Sequence, residues 1–503
     1  MSLLWLSDAP DTSFDRNPAA LAVVKALGIK RLLGLEDAAV LNFLTADPDV
    51  IRRRQAIFRD LEKHPELDGV LRRLRDYVND LRELAQKRSM LGRSTEDVLY
   101  SFGEVTVFIE MIHEITGAMA ELSPESDALL ELFDMLNEIA QDKRFSEIAD
   151  YTEKLTNGTK FARSITVGLN LDATFGVHEA GVVSINDDYF TAGDLFSTIF
   201  GTHPPGELRC ITPLVGGEKS AGLDQAVYNA LNSRLSRSFL RARQVLLEYI
   251  QSTVSKVYPL ADELLFLRRT NEFLTDIRAR GGRLCLPEIA DEFTVTKLWN
   301  PTLLRKVEYG RIVPNDVSAN PDTPILLLTG PNSGGKSVYL RSVGIAAVLF
   351  QLGLPIPARE AKMPLFHRFF CHFPTEDTAD DSRLVEECRA MREILDELDA
   401  DSLLLMDESF SGTASAEGAV IAGEVLKTIR DRRAVTVFST HLHELASRET
   451  IEAFNRKSPK IKPLSAAYEE GRRTYRITEQ TDSGSSYAYE IAKLYGLQYE
   501  EKE

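Results

Sequence analysis

Apolar residues recur at three- and four-residue spacings through the first third of the chain. Between residues 68 and 91, Val70, Leu71, Leu74, Val78, Leu81 and Leu84 share one face and Arg and Asp the other, which predicts a long amphipathic helix. Ser94, with Asp97 three residues on, resembles a capping box and opens a second helix through Val98, Phe102, Val105, Phe108, Ile109, Ile112 and Ile115. The period then falls to two. Residues 164–171 and 181–185 are β-branched runs about nine residues apart, predicting a small β-module between residues 161 and 188. Residues 201–222, rich in Gly, Pro and Thr, predict a loop. From 223 to 279 there is no Gly and a single proline, Pro259, so two long helical segments with a break at that proline are expected. Gly281-Gly282 closes this rod. From Pro287 onward short apolar strands alternate with amphipathic helices, the rhythm of an α/β domain.

Three of those strands end in polar residues of specific kinds. Ile325-Leu326-Leu327-Leu328-Thr329 reads as a buried parallel strand and runs into Gly330-Pro331-Asn332-Ser333-Gly334-Gly335-Lys336-Ser337, after which a helix continues from Val338 to Leu352. The G-x-x-x-x-G-K-[ST] spacing suits phosphate because glycines let successive N–H groups turn toward oxygens at a helix N-terminus whose dipole favours anions. Lys336 would reach the β- and γ-phosphates, and Ser337 would offer its hydroxyl to Mg²⁺. A second run, Ser402-Leu403-Leu404-Leu405-Met406, delivers Asp407-Glu408. Asp407 is placed to hold Mg²⁺ directly or through water, and Glu408 to orient and deprotonate the attacking water. The third, residues 434–439, ends in Thr440-His441. A lone histidine at a strand end is usually structural, but here it completes a set of three.

Composition narrows the class. A chain of 503 residues with 44% hydrophobic and 27% charged residues is long enough for several packed domains and is neither disordered nor fibrous. The net charge of −17 argues against a protein that coats nucleic acid over its whole surface. Residues 371–410 hold thirteen carboxylates against three arginines, which accounts for ten of the seventeen net negative charges. The remainder is close to balanced, and a local nucleic-acid contact stays open. Cys210, Cys285, Cys371 and Cys388 form no C-x-x-C pair and read as reduced thiols. With no leader pattern and no run of 18 apolar residues, a cytoplasmic location away from any membrane is expected.

Taken together, these elements resemble the MutS family of DNA mismatch repair ATPases, within the ABC class. The carriers of the resemblance are Gly330-Pro331-Asn332 with Gly334-Gly335-Lys336-Ser337, Met406-Asp407-Glu408 with Ser411-Gly412-Thr413-Ala414 and Gly418, and Ser439-Thr440-His441 with Glu444-Leu445. Asn300-Pro301 with Leu304, and Val313-Pro314-Asn315-Asp316, are similar to the segment entering the family's ATPase domain and running beside the adenine. Gly484-Ser485-Ser486-Tyr487-Ala488 resembles its end. The resemblance implies a multidomain fold. Residues 1–160 would be the helical core, 161–222 a β-module and loop in the place of a clamp, 223–284 the lever helices, and 285–503 an α/β P-loop ATPase of ABC type. It implies ATP and Mg²⁺ as ligands, with residues 330–338 and Val313 around the nucleotide, Ser337 and Asp407 on the metal, and Glu408, Lys336 and His441 as catalytic groups. It further implies a homodimer through the ATPase domains. Glu386 would lie on the signature helix, and Ser382 at its start would reach in trans to the partner's γ-phosphate, or would serve as an ordinary helix cap.

The same resemblance shapes the functional expectation. Family members that recognise mispairs carry a Phe-x-Glu reader in an N-terminal domain. Phe102-Gly103-Glu104 and Phe145-Ser146-Glu147 fit that string but lie in helical sequence and read as chance. No mismatch-reading or nuclease segment is visible. Arg234, Arg237 and Arg241, with Arg243 nearby, make a helical stripe that either contacts phosphates or is a solvated face; Arg52-Arg53-Arg54 reads as surface. The expected function is an ATP-dependent clamp on double-stranded or branched DNA in repair or recombination. The alternative is a nucleotide-dependent clamp on a protein or ribonucleoprotein.

Overall fold

The computed structural model describes residues 2–6, 14, 16–90, 96–158, 164–171, 177–186, 191–192, 209–210, 243–331, 334–373, 380–469 and 472–479. Asn332, Ser333, the arginines at 234, 237 and 241, most of the 201–222 segment and the 484–496 motif lie outside these residues, as does the side chain of Ser382. The chain divides into two compact units. One comprises Glu66–Ser123 and Leu130–Leu264; the other comprises Ser2–Pro65, Pro124–Leu129 and Leu265–Glu503.

The first unit is largely helical. Helix Glu66–Met90 buries Leu67, Val70, Leu71, Leu74, Val78 and Leu81, the face that the spacing predicted. It packs on helix Glu96–Met119, which contributes Val105, Phe108, Met111, Ile112 and Ile115. Between them Glu104 is fully buried. Its carboxylate accepts from Arg88 Nε at 2.9 Å and from the Tyr258 hydroxyl, so the charge is taken out of water only with partners in place. Both Phe-x-Glu strings fall inside helices, Glu96–Met119 and Lys143–Gly158. The β-module is a ladder of Ser164–Leu171 against Val177–Asn186, antiparallel, with Ser164 opposite Asn186. Its second strand starts four residues earlier than the β-branched run suggests, because Val177, Glu179 and Ala180 still pair with Leu171, Asn170 and Leu169 although Glu179 and Ala180 are weak strand formers. Residues 243–252 are helical, a 3₁₀ turn follows at Val254–Val257, and helix Leu260–Ala279 begins immediately after Pro259, where the break was expected.

The second unit is built on a six-stranded sheet. Its order is Arg368–His372, Ser402–Asp407, Val435–Ser439, Ile325–Thr329, Ile461–Glu469, Arg472–Glu479. The first five strands are parallel and the last antiparallel. Strands such as Ile325–Thr329 and Ser402–Asp407 are buried along their whole length, which explains why they read as continuous apolar runs rather than alternating ones. On one face Ile325, Leu327, Leu404, Met406 and Phe438 pack with Ala422, Leu426 and Ile429 of helix Ser415–Arg432 and with Phe454 of helix Arg448–Phe454. Helix Lys336–Gln351 also packs on the sheet, and thirteen of its sixteen residues are buried. A smaller four-stranded sheet, in the order Glu288–Ile289, Glu360–Met363, Phe293–Leu298, Asn315–Ala319, completes the unit. Among the described residues no helix is long and apolar enough to cross a membrane.

Residues 2–65 pack with this sheet unit. Helix Pro18–Leu27 starts on an Asn17 cap, whose Oδ1 accepts from the Ala19 and Ala20 amides, with proline at its first position. Arg54 departs from the expectation that residues 52–54 are surface: it is fully buried. Its guanidinium lies 4.4 Å from the Trp5 ring centroid and donates to the carbonyls of Leu4 and Phe43. Asp60 is also buried. Its carboxylate accepts from the amides of Glu125 at 3.1 Å and Ser126 at 2.8 Å and so ties down the returning 124–129 segment. Replacing Asp60 with Ala leaves both amides without this acceptor and is expected to lower stability by about 1–3 kcal/mol, read from a denaturant titration. An unchanged midpoint would show that water replaces the carboxylate at no cost.

Candidate functional site

Most of the described residues that the sequence marks as chemical in the sheet unit gather at the carboxyl ends of three neighbouring parallel strands, the end at which sheets of this kind form a crevice. Ile325–Thr329 ends in Gly330 at φ +121°, and Gly335 at φ +97° precedes helix Lys336–Gln351, two conformations that side chains rarely adopt. A Cβ on Gly330 would lie 3.0 Å from the Ala466 amide nitrogen of the adjacent strand, so glycine is required there for space as well as for conformation. The Lys336 ammonium folds back over the loop and donates to the carbonyls of Gly330 at 2.8 Å and Pro331 at 3.1 Å. Burial pushes its pKa down from the usual value, while Glu408 and Asp407 pull the other way.

Ser337 Oγ donates to Asp407 Oδ1 at 3.1 Å. Asp407 ends its strand and is buried. The next residue, Glu408, sits at φ +53° with its amide donating to Ser439 O at 2.8 Å, and its Oε1 accepts from His441 Nε2 at 2.5 Å. His441 is carried there by Thr440, whose amide donates to Leu328 O at 2.9 Å, so three adjacent strand ends are tied to one another. The Glu408 side chain remains 38% exposed, open enough for a water molecule.

A hydroxyl and a carboxylate oxygen at this separation fit a small hard cation. Among the described residues no cluster of three or more His, Cys, Asp or Glu could hold a metal without help. Such a cation would therefore complete its shell with ligand oxygens and water, as Mg²⁺ does beside phosphates.

The structure thus brings together Gly330, Pro331, Gly334, Gly335, Lys336, Ser337, Asp407, Glu408 and His441. Val338 is exposed on the first turn of the helix, and its carbonyl accepts from Asn300 Nδ2 at 3.2 Å. Val313 is partly buried two residues before Asn315. Ser382 falls in the first turn of helix Asp380–Glu397, and Glu386 on the same helix is exposed.

Two residues escaped the sequence reading. Tyr475, half exposed and at φ +57°, lies beside Gly335, its Cδ1 3.6 Å from where a Cβ would stand. It is held by Asn315, which donates from Nδ2 to Tyr475 O at 3.1 Å and accepts from the Ile477 amide at 2.7 Å. Nothing in the local sequence marks it. Glu387, buried, did leave a signal: it occupies a position on the apolar stripe of Leu384, Met391, Ile394 and Leu398. The described cysteines 285, 371 and 388 are free. Burial pushes the Cys285 thiol up to about 12 and Cys371 to about 11, so neither is a nucleophile near neutral pH.

Residues 326–500 match the family profile described as MutS domain V, and residues 46–213 match that of the MutS2 N-terminal domain. The chain belongs to the MutS family. Similar to this MutS-family chain is the DNA mismatch repair protein MutS of Pelotomaculum thermopropionicum, 32% identical over 289 residues, covering 56% of this chain and 31% of that one. The protein of the same name from Thermus aquaticus is 32% identical over 229 residues, 44% of this chain and 26% of the relative. That from Granulibacter bethesdensis is 30% identical over 308 residues, 58% and 33% respectively. The chain spans a third or less of the length of these curated relatives.

In this MutS-family chain the loop after Glu408 is packed against the start of helix Ser415–Arg432. A Cβ at Gly418 would stand 2.5 Å from Phe410 O. Gly418→Ala is expected to cost about 1–3 kcal/mol by forcing that carbonyl aside, seen as a lowered thermal midpoint. A midpoint equal to that of the parent protein would show that the loop yields freely.

Proposed function

We propose that this chain is a Mg²⁺-dependent ATPase that uses nucleotide binding and hydrolysis to control a DNA clamp. The observation that carries the reading is the contact of Ser337 Oγ with Asp407 Oδ1 at 3.1 Å, below a glycine loop and beside a carboxylate held by a histidine. Glycine-loop amides would receive the β- and γ-phosphates, and the Lys336 ammonium would leave the Gly330 and Pro331 carbonyls for phosphate oxygens. Ser337 and Asp407 would hold Mg²⁺, which when bound neutralises developing charge on the phosphates. Tyr475 and Val313, whose carbonyls both accept from Asn315 Nδ2, would face the base or ribose.

Glu408 would take a proton from the attacking water, and His441, bonded to Oε1, would fix the carboxylate's orientation. Ser382, at the start of helix Asp380–Glu397, would contact the γ-phosphate of a second copy, so that two sites are completed in a homodimer. The relatives bear the name DNA mismatch repair protein, which supports DNA as the clamped partner and repair as the process; the proposal extends to branched DNA, to recombination and to a cytoplasmic setting.

Lys336→Ala is expected to weaken ATP binding tenfold or more. Glu408→Ala should retain ATP but hydrolyse it slower by roughly 10²-fold or more. Equilibrium binding and single-turnover hydrolysis read both. Unaltered affinity in the first removes the phosphate role of Lys336, and unaltered turnover in the second removes the base role of Glu408. DNA affinity should fall steeply with salt, with a slope near −0.9 per phosphate contact. Absence of binding, with ATP turnover intact, would move the reading to a protein or ribonucleoprotein partner.

A further inference from the structure

The residues just past Glu408 are held in an unusual way. Within residues 408–410, Glu408 at φ +53° and Phe410 at φ +63° are both left-handed, a conformation that persists for side chains of this size only where surrounding contacts dictate it. For Phe410 the dictating contact is Glu387. Its Oε2 accepts from the Phe410 amide at 2.7 Å, and both residues are buried. The backbone of Glu387 makes a second contact with the same loop. Its carbonyl oxygen lies 3.1 Å from His372 Nε2, and His372 Nδ1 lies 2.7 Å from Ser409 Oγ. A carbonyl can only accept, so Nε2 carries the ring proton. Burial pushes the His372 pKa below its usual value, which leaves the ring neutral and Nδ1 to accept the Ser409 hydroxyl proton. The His372 ring also stacks on Phe410, centroids 5.6 Å apart.

One residue of helix Asp380–Glu397 therefore grips two consecutive residues that follow the proposed base, one through its side chain and one through its carbonyl and a histidine. Five residues earlier on that helix stands Ser382, about 7–8 Å along the axis at 1.5 Å per residue. We propose that Glu387 is a positioning residue that sets the orientation of Glu408 and ties it to the helix whose start would meet the phosphate of a second copy. The proposal rests on the ATPase reading above and adds to it a route by which engagement of one subunit's helix is felt at that subunit's own base.

The test compares Glu387→Ala, Glu387→Gln and Ser409→Ala with the parent protein in ATP affinity, kcat and amide hydrogen exchange over residues 407–414 without nucleotide. Glu387→Ala should lower kcat tenfold or more while leaving ATP affinity within threefold, and should speed exchange across the loop tenfold or more. Glu387→Gln keeps an oxygen acceptor for the Phe410 amide and should recover most of both losses. If Glu387→Ala fails to fold, Ser409→Ala, which removes only the hydroxyl on His372, should lower kcat three- to tenfold at unchanged affinity. Parent kcat and exchange in a folded Glu387→Ala protein, or in Ser409→Ala, would overturn the proposal, as would a Gln variant no better than Ala. If the parent protein neither binds nor hydrolyses ATP, the ATPase reading falls instead, and the exchange data still decide whether Glu387 holds the loop.

Discussion

Strand order constrains the site more than any single residue does. The strand that feeds the glycine loop and the strand that ends in Asp407 are not neighbours, because Val435–Ser439 lies between them. At the usual spacing of about 4.8 Å between strands, their axes are about 10 Å apart. The gap is bridged by the glycine loop, which turns the start of helix Lys336–Gln351 until Ser337 meets Asp407. The intervening strand then has no choice but to end between them, and it contributes His441 to the same crevice. The glycine loop, the Ser337–Asp407 contact and Glu408 with His441 therefore come together through one arrangement of parallel strands.

That arrangement was partly legible in the chain. Fully buried strands read as unbroken apolar runs, and the residue at the end of each stands out against them. Residues 325–329 followed by 330–337, and residues 402–406 followed by Asp407 and Glu408, therefore announced themselves. Periodicity also located the faces of the first helices and the break at Pro259. It could not say what those faces pack against. An apolar stripe specifies that a helix is covered without specifying its cover, so the packing of residues 2–65 with the sheet unit was hidden, and with it the burial of Arg54. Tyr475 was hidden for a different reason. Its place beside Gly335 depends on Asn315, 160 residues away, and such a long-range contact leaves no local pattern.

Strain and buried polar groups are distributed unevenly. Of the six non-glycine residues at positive φ among the described residues, Glu408, Phe410 and Tyr475 lie at or beside the crevice. Each costs on the order of 1–3 kcal/mol and persists because neighbouring groups over-determine it: Ser439 for Glu408, Glu387 for Phe410 and Asn315 for Tyr475. Away from the crevice, buried polar groups such as Asp60 and Glu104 serve to hold segments of chain in place.

The pairing of Ser337 with Asp407 as a cation site is the central claim, and nucleotide affinity measured with and without Mg²⁺ tests it most directly. In the parent protein Mg²⁺ should tighten ATP binding, and in Asp407→Asn, which keeps the shape but removes the charge, that gain should largely vanish while the Mg²⁺-free affinity holds or rises. An equal gain from Mg²⁺ in both proteins would contradict the account.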